Sequence, residues 1–214
     1  MIDVYLFGTN SVAQVLAAWL KSDPRYSLRG YTVSKEYLTY NELDGYPVIS
    51  LESINFNLHN IGIINCVGYS NQLENRMKAH TMLNALPIMT YVHPNAVVDG
   101  TDIGKGNVIM ANTVIEKGSK IGEGNLFYGG VYVCHDAVIG NYNWFSAGSV
   151  LAGHCTIGNM NFIGINSCIR EHTKIGSNTI VGAGAVIIKD IADNCTIVGN
   201  PGRIHNTKSR DKEI

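Results

Sequence analysis

The chain has 214 residues, room for one large domain or two small ones. Its 16 Lys and Arg against 17 Asp and Glu leave a net charge of −1, which argues against nucleic acid or an anionic membrane as the main partner. With 23 Gly, 5 Pro and 15% charged residues, the composition indicates an ordered, turn-rich protein rather than a disordered one.

Residues 1–90 alternate between strand and helix patterns. "DVYLFG" is a short apolar run ending in Gly, the signature of a buried parallel strand and a tight turn. "SVAQVLAAWLKSD" carries apolar residues at helical spacing, with Ser11 as N-cap. "SLRGYTV" and "GIINCVGY" read as further strands, and "NQLENRMKAHTMLNAL" as a second helix beginning near Asn71. This order predicts a small Rossmann-like parallel α/β sheet, with its ligand crevice at the carboxyl ends of the strands. The residues at those ends are Gly8, Thr9, Asn10 and Ser11 after the first strand, Val33 and Ser34 after the second, and Gly68 after the next. Arg76, on the second helix, reads either as a bidentate grip for a phosphate or carboxylate or as an ordinary surface helix arginine. "MIDVYLFG" lacks a basic n-region and no apolar run reaches about 18 residues, so a cytoplasmic protein without a membrane span is expected. The five cysteines show no zinc-site spacing and read as reduced thiols.

From residue 91 the period changes. Every sixth residue from Val97 through Ile187 is large and apolar, and four places after each comes a mostly small residue. This hexapeptide repeat is the signature of a parallel β-helix, in which each hexad supplies one short strand and one turn. Three hexads make a triangular coil, so residues 18 apart stack, and residues 97–186 give five coils. The β-helix is expected over 91–204, with "DNCTIVGNPGRI" breaking the hexad and 205–214 forming a polar tail.

One corner carries chemistry. In "VYVCHDAVIG" (131–140), His135 and Asp136 are the second and third residues after the inward Val133, so both fall at an outward corner. An imidazole titrates near neutrality, and an adjacent carboxylate fixes its tautomer. The same pair also fits a corner that merely caps turn carbonyls. Gly153 lies 18 residues beyond His135, where the absence of a side chain admits a ligand and the N–H is a candidate oxyanion donor. Cys134 faces the other way from its neighbour and reads as a bystander. His154 and His172 share the column of Asp136; they read as turn residues, and no metal is expected.

The hexads, "VGAGAVIIKD" and "VGNPGRI" resemble the left-handed β-helix acyltransferases. The α/β domain placed before them, with one His–acid pair mid-helix, is similar to the bacterial sugar acyltransferases that include sialic acid O-acetyltransferases and nucleotide-amino-sugar N-acetyltransferases. That resemblance implies the left hand, His135 as catalytic base supported by Asp136, an amide near Gly153 on the oxyanion, and direct transfer without an acyl-enzyme. It implies acetyl-CoA as donor, a nucleotide-linked sugar as acceptor, and a homotrimer with the coenzyme groove between subunits. Trp144, Ile165 and Ala183 match coenzyme positions, and Lys189 and Arg203 read either as the cations for its phosphates or as ordinary surface charges. Trp144 stands where several relatives have His. "FGTNSVAQ" stands where relatives carry a Gly-Ala-Gly-Gly-His turn. The expected activity is N-acylation of an amino sugar; acylation of a sugar hydroxyl, and a catalytically silent β-helix scaffold, are the alternatives.

Overall fold

The computed structural model describes residues 1–56, 60–68 and 73–206. The N-terminal unit runs β1 (Ile2–Phe7), α1 (Ser11–Leu20), β2 (Tyr26–Val33), β3 (Glu42–Leu43), β4 (Tyr46–Ser50), β5 (Ile61–Asn65) and α2 (Leu73–Leu83). The sheet order is β3-β4-β2-β1-β5, parallel except for the β3–β4 hairpin. That hairpin, unforeseen in the sequence reading, turns on Asp44 (φ 53°) and Gly45 (φ 77°), a pair suited to two left-handed positions in succession. The N-cap of α1 is Asn10 rather than Ser11: its Oδ1 accepts from the Ala13 amide at 3.1 Å. Asn71, expected at the start of the second helix, lies outside the described residues.

The second unit is the left-handed parallel β-helix. Two-residue strands recur on three faces and pair 18 residues apart through most of its length, as Val133 pairs with Leu151 and Leu151 with Ile169. The second residue of each strand points inward. Ile109, Ile115, Phe127, Phe145, Leu151 and Ile163 are fully buried, and Phe127 stacks on Phe145 with centroids 4.6 Å apart. Fully burying a side chain of this size contributes about 1.5–3 kcal/mol, and one repeats at every hexad. One corner is laced by an asparagine ladder: Asn107, Asn125, Asn143 and Asn161 each accept, through Oδ1, the amide 18 residues on. A buried small polar residue in that slot therefore satisfies backbone that water cannot reach.

The repeat is not uniform at its ends. The inward residue of the first full hexad is Val98, not Val97, which is 57% exposed. Val98 pairs with Ile115 only 17 residues on, because the turn at Asp99–Thr101 is one residue short. Beyond Ile187 the coil shortens by two: Ile191 bridges Ile175 and Ile197 pairs with Val181, so the interior persists past the point where the hexad breaks. The chain then folds back antiparallel as Arg203–Asn206, which carries regular structure two residues into the segment read as a tail. Residues 207–214 lie outside the described residues.

The outward residues give the three faces different surroundings. Tyr91, Val108, Leu126 and Trp144 share one core with Val4, Leu6, Leu16 and Tyr31, so the α/β unit sits directly on this face. A second face presents Asp102, Lys120, Val138, Thr156 and Lys174. The third presents Val97, Val114, Tyr132, Val150, Cys168 and Val186, a largely apolar row that no other element among the described residues packs against.

Candidate active site

The turn after Tyr132–Val133 places His135 and Asp136 on one edge of the apolar face, with side chains 56% and 52% exposed. Asp136 has φ 56°, a left-handed corner position that Asp, Asn and Gly tolerate. Gly118 lies one coil below Asp136, and its missing side chain leaves room for the carboxylate. Asp136 Oδ2 is 2.9 Å from His135 Nδ1. That hydrogen bond holds the Asp136 carboxyl below its ordinary value, with the charges of His154 and His135 acting in the same direction. An ionised carboxylate only accepts, so Nδ1 carries the proton, and in the neutral ring Nε2 is the atom with the lone pair.

His135 is held at its ring and at its backbone. Gly153 lies opposite the ring, where a Cβ would sit 2.9 Å from Cε1 and from Nε2. Among the described residues the Gly153 amide makes no hydrogen bond. From below, Glu116 Oε2 accepts the His135 backbone amide at 2.9 Å while Oε1 accepts the Tyr132 hydroxyl at 2.7 Å. The two hydrogen bonds, with Tyr132 first, lower the Glu116 carboxyl. Glu116, His135 and Lys117 border a cleft of about 420 Å³ reaching to Val97. The sequence reading missed Glu116. The signal was present, since position 116 is one coil below Cys134 and reaches the next residue, but spacing does not say which way a carboxylate bends. Burial pushes the Cys134 thiol up, which disfavours the thiolate and agrees with its reading as a bystander.

The α/β unit holds a larger cavity, about 590 Å³, at the carboxyl ends of β1, β2 and β5. Gly8, Thr9, Asn10, Val33, Ser34 and Gly68 all line it, as expected from the strand order; Ser11 does not. Asn10 is a tie rather than a free ligand: besides capping α1, its Nδ2 donates to Cys66 O at 2.8 Å and Gly68 O at 3.3 Å.

Arg76 corrects the expectation of an anion grip. It is 0% exposed and spends its donors on carbonyls: Nε to Gly124 (2.7 Å), Nη1 to Asn65 (2.8 Å) and Val67 (3.2 Å), Nη2 to Gly106 (3.4 Å). Burial lowers it to about 10, which leaves it charged at neutral pH, a clamp between α2 and the β-helix. The cation in the cavity wall is Lys78 instead. Asn75, Lys78, Ala79 and Met82 line the cavity at helical spacing, whereas Leu73, Arg76, His80 and Leu83 face inward. Glu36 and Tyr37, from the turn after β2, complete the wall.

The expected coenzyme residues are dispersed in a single chain. Trp144 is only 6% exposed, packed on Tyr128 (5.2 Å) and against Gly68 beneath the α/β unit, and it has little surface left to offer a ligand. Ile165 and Ala183 are exposed and stacked at the corner after the Trp144 face, on the edge of the apolar face opposite His135. Lys189 stands on the His135 edge, second after Ile187 as His135 is second after Val133. Arg203 is exposed at the start of the last strand.

Residues 154–189 match the family described as bacterial transferase hexapeptide (six repeats). No curated protein sequence matches the chain. Among solved structures it is similar to the acetyltransferase domain of PglB from Neisseria gonorrhoeae in complex with acetyl coenzyme A, at 28% identity and TM-score 0.82, covering 94% of this chain and 98% of that one. WeeI from Acinetobacter baumannii is 25% identical with TM-score 0.83, covering 95% and 100%. A perosamine N-acetyltransferase from Caulobacter crescentus, in complex with CoA and GDP-perosamine, shares the fold at 22% identity and TM-score 0.82, covering 95% and 97%. With an acetyltransferase domain matched over 94% of the chain and the hexapeptide family matched over residues 154–189, the chain is an acyltransferase built on a left-handed β-helix.

Proposed function

We propose that the chain is an acetyl-CoA-dependent N-acetyltransferase acting on the amino group of a nucleotide-linked amino sugar. The observation that carries this reading is the His135–Asp136 pair, with the ring facing Gly153, whose amide makes no hydrogen bond among the described residues. The sugar amine attacks the thioester carbonyl while His135 Nε2 takes the amine proton. Asp136 stabilises the imidazolium, and the Gly153 N–H donates to the oxyanion. Collapse of the adduct breaks the C–S bond, and the departing thiolate takes up the proton. PglB and the perosamine enzyme, with their acetyl-CoA and CoA–nucleotide-sugar complexes, support this substrate pair.

The α/β cavity is assigned to the nucleotide. The α1 N-terminus and Lys78 offer anion contacts for the diphosphate, and the Glu36 carboxylate suits ribose hydroxyls. Among the described residues none lines both this cavity and the His135 cleft. The working unit is therefore assigned as a homotrimer in which the apolar Val97–Val186 faces pack together. That packing sets the His135 edge of one subunit beside the Ile165–Ala183 edge of the next and forms the coenzyme groove between them. A screen of nucleotide-linked amino sugars against acetyl-CoA, read by thiol release, tests the reading. Transfer to an amino sugar supports it, and transfer confined to hydroxyl acceptors overturns the N-acyl assignment.

A further inference from the structure

The column above Asp136 holds more than a turn needs. Left-handed corners elsewhere in the β-helix are filled by Asn112, Asn166, Asn178 and Asn194, by Tyr142 and Met160, or by glycine, whereas His154 and His172 occupy the two corners directly above Asp136, at φ 59° and 58°. The His154 amide donates to His135 O at 3.1 Å, which locks the two turns together. The His154 ring stands edge-on to His135 with centroids 5.0 Å apart, and its other side stacks flat on His172 at 4.7 Å. One ligand atom from each of His135, Asp136 and His154 lies within 4.8 Å of the others, and all three side chains are exposed.

We infer that His135, Asp136 and His154 form a site for a borderline transition-metal ion such as Zn²⁺, and that filling it shuts off the enzyme. Two imidazoles and a carboxylate are a zinc donor set, and tetrahedral coordination asks for donor separations of roughly 3.3 Å, which small side-chain rotations from 4.8 Å supply. His172 braces the His154 ring from behind; its parallel stacking keeps its own lone pair off the same ion, leaving the fourth position to water. A metal bound here takes the His135 imidazole and the Asp136 carboxylate away from proton transfer. Metal capture thus requires nothing of the proposed reaction; the inhibition rests on the role proposed for His135.

The test uses full-length enzyme, with Zn²⁺ itself as probe in competition with a chromophoric chelator. Wild-type protein is expected to take up one Zn²⁺ per chain at about micromolar affinity. His154→Asn, which suits a left-handed corner, is expected to weaken uptake at least tenfold, as is Asp136→Asn. His172→Asn is expected to shift it less than threefold. Equal zinc affinity in wild type and His154→Asn, or uptake lost only in Cys134→Ser, overturns the site. In turnover assays Zn²⁺ is expected to stall wild type reversibly, with a chelator restoring it. His154→Asn is expected to run unimpeded at zinc concentrations that stall wild type. Zinc bound with the predicted mutant pattern but without effect on turnover keeps the site and overturns the inhibition.

Discussion

His135 and Gly153 face each other across one coil, so closely that a Cβ on Gly153 would stand 2.9 Å from two atoms of the imidazole. Gly153 is not among the residues of positive φ, so alanine fits its backbone and the cost falls on the ring. Gly153→Ala is therefore expected to fold with an unchanged melting temperature and to lose about 10²-fold or more in kcat, since displacing a reacting group by about 1 Å has that effect. Calorimetry beside steady-state kinetics checks both halves.

Glu116 acts on His135 through the backbone. Glu116→Gln keeps an acceptor for one of its two hydrogen bonds but not the charge, and is expected to lower kcat about fivefold at nearly constant KM, a loss of one positioning contact worth about 1 kcal/mol. Tyr132→Phe, which removes only the partner hydroxyl, is expected to show a smaller effect in the same direction.

Lys78 separates the cavity's function from the β-helix chemistry. Lys78→Gln is expected to raise KM for the nucleotide-linked acceptor about tenfold or more, the loss of a charge-assisted contact, while leaving kcat and the KM for acetyl-CoA near wild type. Arg76→Gln is expected instead to lower the melting temperature sharply, because it strips donors from buried carbonyls.

The interface between the units also carries a pH dependence. His80 is 1% exposed and its Nδ1 has no partner among the described residues, while Nε2 meets Glu123 Oε2 at 3.3 Å. Burial, the largest influence, pushes His80 below its ordinary value of 6.5; the Glu123 contact opposes this, and the charges of Arg76 and Lys105 reinforce it. Tyr142 packs against its ring. Below pH 6.5 the unfolded chain thus binds a proton that the folded chain resists, so this stability is full above that pH and falls as pH drops. Thermal melts at pH 5.5 and 7.5 are expected to differ less in His80→Gln than in wild type.

The hexads made most of the β-helix legible, because a six-residue period with one large inward residue leaves few other solutions. The short first turn that brings Val98 inward, and the shortened last coil through Ile191, were not legible: an apolar residue stands at or beside each expected place. In the α/β unit, strand order alone locates the cavity and six of its lining residues. It failed at Arg76 and Lys78, two residues apart on one helix, because the second helix is almost as polar inward as outward and the pattern does not say which face meets the core. Trp144 failed for a related reason. Its hexad position is outward, and only the docking of the α/β unit turns that outward face into core.

The central claim is that His135 is the base, and the most direct measurement is turnover of the His135→Ala enzyme with acetyl-CoA and the acceptor used by wild type. A fall in kcat of about 10²-fold or more, with both KM values little changed and the melting temperature preserved, is the predicted result. Undiminished thiol release from the same variant would contradict it.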